Sequence, residues 1–511
     1  MKIELSIMEF DWKTLLLLFI ISVSIFIKHL MKKTASNLPP GPPKLPILGN
    51  LHQLIRINTA PHRRLAEQAK LYGPIMHLRL GEVPTLVISS AELAAEVMKT
   101  HDAVFCSRPL LMVGKELFYG ASDIGLAPYG EYWRQARKIS VLELFTAKRV
   151  QSFRSIREEE AVELMNDLRS MAGCVVNLSK MMFGLTFNIT TRVAFSKKGK
   201  EQEEFRAFTG AVTKASSGFS IADLYPSIEF LHSISGTRRK FKDLVQESNR
   251  ILDPIIDDHR AKKRLGDQDQ QDEDLVDVLL KFHKDNLKTP NNQEFSLSID
   301  NMKAIILELF GAGAETSSTL LEWAMSELLN NPNVMEKAQA EVRRVYQGKT
   351  IVDETMLHEL KYMKQVIKET LRLHPPLPLL VPRESIESCR LHSYNIPSQT
   401  RVLINAWAIG RDPKYWSDPE KFDPERFEGC SIDYKGTDFE LIPFGAGRRK
   451  CPGMTLGIVN VELPLAMLLY HFEWRLPHGV EGPQNLDMDE SLGITIRRKN
   501  ELYVIPVPYR H

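Results

Sequence analysis

Apolar and polar residues follow a helical period over most of the chain and a strand period in only a few short stretches. Ile75–Leu80 and Thr85–Ser89 show the strand period on either side of Gly81, which predicts a β-hairpin. Another strand-like stretch is Thr400–Ile404, and others lie near the C-terminus. The pattern predicts a mainly α-helical body with a small β-sheet subdomain (α+β), the sheet lying toward the N-terminus.

Local signals predict where several of these elements begin. Ser89 and Glu92 have the spacing of a capping box, so a helix is expected to start there. A long buried helix is predicted from Ile305 to Leu329, although each of the two glycines at its centre costs about 1 kcal/mol relative to alanine. Close packing against another helix is one explanation for these glycines. The polar, acidic stretch 266–274 predicts a mobile surface loop.

The N-terminus carries an apolar run from Leu15 to Ile27. The run is shorter than the ~20 residues of a membrane span, but Trp12 at one interface and a snorkelling Lys28 at the other lengthen it. A cleaved signal peptide is the alternative, yet lysines and prolines stand where its small-residue cleavage site would be. We therefore expect an uncleaved single-pass anchor. Positive charge after the run predicts that the body is cytosolic.

A proline-rich stretch, 38–46, follows the anchor. Proline at this density is stiff and extended, so the stretch is expected to space the body from the membrane. Beyond it, no shift in composition marks a domain boundary. The predicted division is an anchor at 1–30, a basic and proline-rich hinge at 31–46, and a single catalytic domain at 47–511.

Composition adds a few exclusions. Hydrophobic residues make up 43% of the 511 residues and charged residues 25%, as in an ordinary globular protein with a large core. The net charge of +2 gives no reason to expect a nucleic-acid partner. The five cysteines are scattered and odd in number, which fits a reducing compartment rather than a disulfide framework.

One cysteine lies in a stretch of distinctive chemistry, Phe444–Gly453, which reads FGAGRRKCPG. Pro452 suits the first position of a helix, so a helix is expected to follow Cys451 at once. The helix N-terminus and three consecutive cations favour a thiolate at Cys451. Such a thiolate serves either as a nucleophile or as a metal ligand. The stretch holds no histidine base, and the short cysteine spacing of a zinc site is missing.

The spacing of five residues in this stretch matches the haem-binding signature of the cytochrome P-450 family of haem-thiolate monooxygenases: Phe444, Gly447, Arg449, Cys451 and Gly453. The chain resembles that family from about residue 39 to its end. The resemblance implies the family fold, with haem b held between the long central helix and the cysteine loop. It implies that Cys451 is the iron ligand and that Phe444, Gly445 and Gly453 contact the haem.

The centre of the long helix resembles the family's oxygen-binding site. Glu315 and Thr316 resemble the acid–alcohol pair that delivers protons to bound dioxygen. Ala312 and Leu309 share a helix face with Thr316, so both are expected to overlook the iron. Ser317 stands where the family often has a second threonine.

Three arginines match family positions that bind the haem propionates, namely Arg137, Arg383 and Arg449. The indole N–H of Trp133 is expected to assist them. An arginine fork suits a carboxylate because it binds bidentately. For any single arginine, solvation at the surface would be the ordinary explanation.

Glu369 and Arg372 resemble the ExxR motif of the family, and Arg426 resembles its partner. The resemblance implies that the three side chains form a buried triad behind the cysteine loop. The expected role is structural, because the loss of one member would leave a buried charge without its partner.

The substrate pocket is placed by analogy with the family, near Phe105–Gly125, around Phe208, and in three further stretches. Predicted pocket residues in those three stretches are all apolar: Leu309, Leu377, Leu379, Leu380, Val381, Leu492 and Ile494. An apolar pocket suits a small lipophilic substrate. Core packing is the competing explanation for each residue taken alone.

Electrons from NADPH are expected to come through a separate reductase, because the chain has no flavin or nicotinamide fingerprint. Four cations are expected to steer an acidic NADPH–cytochrome P-450 reductase: Arg134, Lys138, Arg448 and Lys450. The hinge, the cysteine loop and the stretch 372–384 resemble plant microsomal members of specialised metabolism. The resemblance implies a monomeric enzyme of the endoplasmic reticulum membrane.

The sequence therefore predicts an NADPH- and O2-dependent monooxygenase that hydroxylates or epoxidises a small lipophilic plant metabolite. A terpenoid, either a sesquiterpene or a diterpene, is the predicted substrate class, with an alkaloid or a phenolic as the alternative. A haem-thiolate isomerase or dehydratase that uses no O2 is a rival, and the Glu315–Thr316 pair argues against it. A non-enzymatic membrane-anchored scaffold is a second rival, but it leaves the cysteine loop unexplained.

Overall fold

The computed structural model describes residues 20, 22, 37–54, 59–196, 202–216, 220–228, 236–264, 273–284, 287–288, 294–349, 352–477, 479, 482–491 and 493–510. The predicted anchor therefore lies outside the described residues, apart from Ile20 and Ser22. The first part of the predicted hinge and most of the stretch 266–274 also lie outside them.

The described residues are mainly helical, as predicted. Their α-helices, numbered in chain order, are α1 (Leu51–Leu54), α2 (Pro61–Tyr72), α3 (Ala91–Ala95), α4 (Asp102–Phe105), α5 (Met112–Glu116), α6 (Glu131–Ile139), α7 (Ala147–Ser152), α8 (Arg154–Ser170), α9 (Leu178–Phe195), α10 (Gln202–Ser216), α11 (Ile221–Leu224), α12 (Thr237–Arg264), α13 (Leu275–Lys284), α14 (Ile299–Asn330), α15 (Pro332–Val345), α16 (Lys361–Leu373), α17 (Ala406–Ile409) and α18 (Met454–His471). Two π-helical turns continue α3 and α6, at Glu96–Thr100 and Ser140–Leu144. Short 3-10 turns lie at Glu354–Glu359, Pro424–Phe427, Gly447–Arg449 and Pro483–Asn485.

The strands are short: β1 (Ile75–Leu80), β2 (Val83–Ile88), β3 (Val176–Asn177), β4 (Leu287–Lys288), β5 (Glu294–Phe295), β6 (Arg383–Glu384), β7 (Cys389–Leu391), β8 (Tyr394–Ile396), β9 (Arg401–Ile404), β10 (Phe472–Arg475) and β11 (Tyr503–Pro508). They form a four-stranded sheet in the order β1-β2-β9-β6, a three-stranded sheet β10-β11-β3, and the pairs β4-β5 and β7-β8.

The predicted hairpin is present as β1 and β2. Ile75 pairs with Ile88 and Leu80 pairs with Val83, so two residues form the turn. Gly81 supplies the positive φ of +64° that this tight turn needs. β9 then pairs in parallel with β2, so that later strands complete the sheet begun near the N-terminus.

The long helix α14 is the centre of the body. It begins six residues before the predicted start, with a capping box formed by Ser298 and Asn301. Its second half is buried with α9, α16 and α18 in the largest apolar cluster, which includes Leu185, Leu321, Leu371 and Leu465. Its first half lies in a second apolar cluster, which includes Phe187, Phe205 and Phe310. The helix therefore crosses the core from one side to the other.

Two helix starts differ from the predicted ones. The side chain of Ser90, not Ser89, caps α3 by accepting a hydrogen bond from Leu93 N at 3.4 Å. Ser89 still belongs to the end of the hairpin, since its N–H donates to Pro74 O. After the cysteine loop, α18 begins at Met454 with Gly453 as its N-cap, so the prediction for Pro452 was wrong.

The predicted surface loop, 266–274, ends at a buried carboxylate, that of Asp274. Asp274 is only 2% exposed. Its carboxylate lies 2.9 Å from Nε2 of His259, accepts a hydrogen bond from Ser196 and accepts another from the N–H of Asp277. The prediction of a polar surface loop was therefore wrong at this residue, because Asp274 caps α13 and ties it to α12.

The described part of the hinge, 37–46, lies against the body. Asn37 donates to Ser393 O at 2.6 Å, and Pro40 O accepts from His77 N at 2.9 Å. A Cβ on Gly41 would lie 2.4 Å from His77 O, so this close approach requires glycine. This part of the hinge is packed on β1 rather than held free of the body.

Two described helices, α14 and α18, are long and apolar enough to span a membrane. In each, 67% of the most apolar window is buried in the protein, which is typical of core helices. They give no test of the anchor predicted at 1–30.

The contact between the hinge and β1 should make stability depend on pH. Burial, followed by the nearby Lys44, lowers the pKa of His77 to about 4, and Nδ1 of His77 lies 3.1 Å from Lys44 Nζ. The unfolded chain takes up this proton near pH 6.5 and the folded one does not, so stability is lost as the pH falls from 6.5 toward 4.

Between pH 7 and 4.5 we expect the wild type to lose about 2–3 kcal/mol more stability than His77→Gln. Urea denaturation followed by tryptophan fluorescence measures this difference. An identical pH dependence for the two proteins would show that His77 titrates normally in the fold.

Candidate active site

The stretch 444–453 forms a tight loop that presents Cys451 to a buried cavity. The loop is closed by hydrogen bonds from Cys451 N to Phe444 O (2.9 Å) and from Lys450 N to Gly447 O (3.1 Å). Gly447 has a φ of +68°, and a Cβ there would lie 2.2 Å from Met98 O, so only glycine fits. Three predicted haem contacts line the cavity beside the thiol: Phe444, Gly445 and Gly453.

The surroundings of Cys451 do not by themselves favour a thiolate. Burial raises the pKa of the thiol, while the N–H of Gly453 and the guanidinium of Arg137 act against this rise. Arg448, one of the three cations in the loop, instead pairs with Asp102 at 3.1 Å. Burial therefore opposes the thiolate that the loop position predicts. Coordination to a metal ion deprotonates a thiol outright.

The three arginines predicted to bind propionates all line this cavity. Arg383 pairs with Asp102 at 3.0 Å and donates to Ala446 O at 2.8 Å. Arg137 donates to the carbonyl oxygen of Lys450, next to the cysteine. The structure therefore brings residues from α6, β6 and the cysteine loop to one cavity.

Trp133 supports this group from behind. Its ring lies 4.0 Å from the guanidinium of Arg449, and its indole N–H donates to Ile124 O at 3.0 Å. Arg449 in turn donates to Cys106 O and Ala127 O at 2.6 and 2.7 Å. Trp133 thus fixes the position of Arg449, and its N–H is already used by the backbone.

A fourth arginine, Arg108, lines the same cavity and was not singled out from the sequence. Its guanidinium donates to the carbonyl oxygens of Gly125, Val381 and Pro382 at 2.7–2.9 Å. The available signal was its position inside the predicted substrate-contact stretch Phe105–Gly125.

The four arginines are crowded and poorly solvated. Burial, followed by repulsion from Arg449 and Arg383, lowers the pKa of Arg108 well below its usual value. Burial, with repulsion from Arg383 and Arg137, lowers the pKa of Arg449 to about 9. A bound ligand that carries carboxylates would neutralise this excess of positive charge.

Two acids adjoin the arginines and were also missed, the half-buried Glu308 and the buried Asp123. Glu308 of α14 lines the cavity and accepts a hydrogen bond from Ile124 N at 2.6 Å. Burial raises the pKa of both Glu308 and Asp123, and the Asp123 carboxylate raises that of Glu308 further. Glu308 thus holds the segment 122–126 against α14 as part of the cavity wall.

The predicted acid–alcohol pair is divided between two environments. Thr316 lines the cavity with Ala312 and Leu309, as its helix face predicts, and its Oγ1 donates to Ala312 O at 2.6 Å. Glu315 is not among the described cavity-lining residues. Its carboxylate accepts hydrogen bonds from Nε and an Nη of Arg497 at 3.1 and 2.8 Å.

Four of the seven predicted pocket residues line the cavity: Leu309, Leu377, Leu380 and Val381. Leu380 has a φ of +52°, an unusual conformation for leucine. Its N–H donates to Leu377 O at 3.1 Å, which closes a tight turn. Leu379 therefore packs with β1 residues such as Met76 and Leu78 instead. Ile494 is 37% exposed and does not line the cavity, and Leu492 lies outside the described residues.

Glu369, Arg372 and Arg426 form one ion-pair group. Arg372 binds both carboxylate oxygens of Glu369 at 2.7 Å, and Arg426 Nε binds Oε1 at 2.9 Å. The Glu369 and Arg372 side chains are fully buried. Arg372 also donates to Gly410 O and Pro419 O, so the group holds the segment that leads toward the cysteine loop.

The donor set around the cavity fits haem. One thiol can ligate iron, four arginines can hold two carboxylates, and apolar walls can accept the ring. No histidine, the usual base of a cysteine nucleophile, is among the described residues that line the cavity. Among the described residues, one group of three side chains could hold a metal ion, namely His259, Asp274 and Asp277. Cys451 is not a member of this group.

The helical body, the cysteine loop and the arginine-rimmed cavity together define a haem-thiolate enzyme. The family model described as cytochrome P-450 matches residues 39–503, and the chain therefore belongs to the cytochrome P-450 family. As a member of this family, with relatives named as hydroxylases and oxygenases, it is a monooxygenase.

Three plant relatives are similar over nearly their whole length. Desmethyl-deoxy-podophyllotoxin synthase of Sinopodophyllum hexandrum is 52% identical, over 96% of this chain and 95% of its own. Tabersonine 16-hydroxylase 2 of Catharanthus roseus is 49% identical, over 96% of each chain. Premnaspirodiene oxygenase of Hyoscyamus muticus is 48% identical, over 93% of this chain and 94% of its own.

A solved structure has the same fold. A zebrafish cytochrome P-450 determined with abiraterone superimposes with a TM-score of 0.74 at 26% identity. The match covers 89% of this chain and all of the zebrafish chain. The predicted fold class is thereby confirmed.

Removing the charge of Glu369 should strongly destabilise the protein. Glu369→Gln leaves Arg372 and Arg426 buried without a carboxylate, which is expected to cost about 3–5 kcal/mol. Denaturant melts and the yield of folded protein measure the loss. Arg250→Ala, in an exposed group with Glu204 and Glu247, is the control and should fold normally. Equal stability of Glu369→Gln and wild type would contradict a structural role for the triad.

Proposed function

We propose that the protein binds haem b through Cys451 and oxidises a small lipophilic plant metabolite, with a terpenoid as the substrate class. The observation that carries the proposal is the cavity in which a half-buried thiol, four arginines and apolar walls meet beside α14. A cavity walled by side chains such as Leu309, Leu377 and Leu380 selects a substrate by shape and hydrophobicity.

The arginines and the cysteine are proposed to hold the cofactor. Arg108, Arg137, Arg383 and Arg449 would bind the two propionates, and Cys451 would bind the iron. When bound, a haem with a thiolate ligand supplies the activation of dioxygen. The buried position of these groups keeps bulk water from the reacting substrate.

Thr316 and Glu315 are proposed to deliver protons to the reaction site in the cavity. Thr316 Oγ1 gives its own hydrogen to Ala312 O, so its lone pairs are free to accept a hydrogen bond from the cavity side. Glu315 adjoins Thr316 along α14, and its contact with Arg497, whose side chain is 38% exposed, lies toward solvent. Ala312 keeps this side of the cavity open because its side chain is small.

The remaining organisation is proposed from the sequence. Residues 1–30 would anchor the protein in the endoplasmic reticulum membrane, 31–46 would form the hinge, and 47–511 would be a monomeric cytosolic catalytic domain. NADPH–cytochrome P-450 reductase would deliver electrons to the cationic face. Arg134, Lys138 and Arg448 are exposed there, and half-buried Lys450 donates to Lys435 O at 2.9 Å.

An alkaloid substrate is the second candidate, and one observation favours it. Glu308 places a carboxyl in the cavity lining, where it would pair with a protonated amine. One relative with 49% identity is named for hydroxylation of tabersonine. The named relatives act on different secondary metabolites, so an assay must decide the substrate class.

Microsomes that contain the protein and a plant reductase should oxidise a terpene from a panel of monoterpenes, sesquiterpenes, diterpenes, phenolics and alkaloids. Products are measured by mass spectrometry with and without NADPH. Cys451→Ala should reduce product to background, because it removes the iron ligand. Cys430→Ala, at a half-buried cysteine away from the cavity, is the matched control and should stay active.

Other results of the same assay have distinct meanings. Oxidation of an alkaloid alone would keep the monooxygenase and replace the terpenoid by the second candidate. Turnover that needs neither NADPH nor O2 would support an isomerase or dehydratase. A protein that purifies without a thiolate-type carbon monoxide spectrum would overturn the haem assignment.

Reversing charge on the cationic face should slow reduction. The double variant Arg134→Glu/Lys138→Glu is expected to lower the rate of electron transfer from the reductase about tenfold at low ionic strength. The difference should shrink with added salt, because exposed charges are screened. Stopped-flow reduction under carbon monoxide measures the rate, with Lys240→Glu, at an exposed lysine of α12, as control. Unchanged kinetics with an unchanged spectrum would place the docking surface elsewhere.

A further inference from the structure

A group of metal-ligating side chains lies between α12 and α13, away from the cysteine loop. His259 belongs to α12, Asp274 stands immediately before α13, and Asp277 lies in the first turn of α13. Their ligand atoms all lie within 4.8 Å of one another. We refer to these three residues as the His–Asp–Asp group. Among the described residues that line the cavity beside Cys451, none belongs to this group, so it is separate from the proposed haem site.

The imidazole of His259 is held in the orientation of a metal ligand. The residue is only 6% exposed, and its Nδ1 lies 2.7 Å from Ile255 O, one turn back along α12. A carbonyl oxygen only accepts hydrogen bonds, so Nδ1 carries the hydrogen and Nε2 is the nitrogen that remains to bind a metal. Histidine ligands of metals commonly donate their second ring N–H to a carbonyl in this way, because the contact fixes the tautomer and the ring.

Both carboxylates stand close to Nε2 of His259. Asp274 Oδ2 lies 2.9 Å from it. The other oxygen of Asp274, Oδ1, accepts a hydrogen bond from the N–H of Asp277 at 3.0 Å, which keeps Oδ2 turned toward the imidazole. The carboxylate of Asp277 accepts a long hydrogen bond of 3.4 Å from Asp274 N. An ionised carboxylate has about four acceptor positions, so Asp277 has capacity for a further partner.

The His–Asp–Asp group holds more negative than positive charge. Even with a protonated imidazole, it carries one positive charge against two carboxylates. Cations on the same two helices have other partners, since Lys281 lies 2.6 Å from the carboxylate of Glu273 and Arg260 lies 3.6 Å from that of Asp257. Uncompensated charge is costly in a buried position. A divalent cation bound to a neutral imidazole and two carboxylates would bring the total charge to zero.

We propose that the His–Asp–Asp group is a zinc site, with His259 Nε2 and one oxygen each of Asp274 and Asp277 as ligands. Zinc accepts nitrogen and carboxylate ligands, and it binds such sets more tightly than Mn²⁺ or Fe²⁺ does. Zinc bonds of about 2.0–2.2 Å place tetrahedral ligand atoms about 3.3 Å apart. The 2.9 Å between Nε2 and Oδ2 therefore widens by about 0.4 Å. Zinc replaces the proton on Nε2, which leaves to solvent, and no group is oxidised or reduced.

The role of this zinc is structural. Ser196, the first residue after α9, donates to Asp274 Oδ2 at 3.1 Å, so its hydroxyl or a water completes the coordination. The ion joins the ends of α9 and α13 to α12 at one point. Leu275, the residue after Asp274, lines the cavity beside Cys451, so zinc also fixes this part of the cavity wall. The inference goes beyond the proposed function and does not depend on the haem or the substrate class.

Zinc binding by the purified, haem-loaded protein tests the proposal. The protein is treated with EDTA, freed of the chelator and titrated with zinc chloride in competition with a fluorescent zinc indicator. We expect one zinc per chain with a Kd of about 1 μM or below. At 100-fold that concentration of free zinc, the melting temperature should rise by at least about 2 °C, because zinc binds the folded chain.

Two variants locate the bound zinc. His259→Gln and Asp277→Asn should each weaken binding at least about tenfold, because even the outer partners of metal ligands contribute that much. His283→Gln is the matched control and should bind as the wild type does. His283 lies on α13 with its Nδ1 2.7 Å from Leu297 O, but it is not a member of the group. Equal affinity in the wild type and both variants would place the zinc elsewhere, for example on the exposed Cys174, and would overturn the proposal.

A crystal structure of the wild type with one equivalent of zinc does not depend on the folding of any variant. Anomalous scattering at the zinc edge should show a peak about 2.0–2.2 Å from His259 Nε2 and from one oxygen of each aspartate. A group without this peak would show that a proton, and not a metal, joins His259 to Asp274, and the proposal would fall. Neither measurement uses turnover, so a failure of the proposed function would leave the zinc result unchanged.

Discussion

The carboxylate of Glu369 is the interaction on which the rest of the structure depends. It accepts hydrogen bonds from Arg372 and Arg426 and from the N–H of Asp423, at a position without solvent exposure. A buried charge of this kind is tolerated only when all its partners are present. Through Arg372 and Arg426 the group orders the backbone from Gly410 to Lys421. The chain then continues into the cysteine loop. The Glu369 group therefore helps to position the thiol of Cys451 without contacting it.

The cavity also contains buried charges, but fewer carboxylates neutralise them. Four arginines face it, and much of their hydrogen bonding is to backbone carbonyl oxygens, with Asp102 as the partner of Arg383. Carbonyl oxygens satisfy the donors without neutralising the charge. This is why burial and mutual repulsion lower the pKa of Arg108 and Arg449. A dicarboxylate ligand supplies the missing charge, which links haem binding to the stability of this region.

The helix α14 serves two faces of the cavity at once. Leu309, Ala312 and Thr316 form the wall beside the cysteine loop, while Gly313 and Ser317 open toward α9 and α18. Glu315 points to neither and is bound by Arg497, which lies 182 residues further along the chain. Adjacent residues of one helix thus have separate tasks, because successive side chains are rotated by about 100° around the helix axis.

Much of the architecture was determined by local sequence. The spacing of Phe444 to Gly453 gives the cysteine loop, since its positive-φ positions require glycine. Gly81 and the alternating residues around it give the hairpin, and the long apolar run gives α14. The resemblance to the family, rather than any local preference, predicted that Arg137, Arg383 and Arg449 share one site. For the loop, the hairpin and the helix, a short-range preference and the final fold agree.

Other features were decided only by the tertiary structure, because they depend on which distant segments meet. The sequence does not show that Leu380 faces the cavity while Leu379 faces β1, since one unusual backbone angle separates them. It does not show that Arg108 joins three other arginines, that Glu308 lies beside Asp123, or that Asn460 Oδ1 accepts no hydrogen bond from the described residues. Burial, charge and hydrogen-bond satisfaction are properties of a whole neighbourhood. The sequence contains all the residues of such a neighbourhood, but it does not show which of them meet. The packing of α9, α14 and α18 around the cysteine loop decides this.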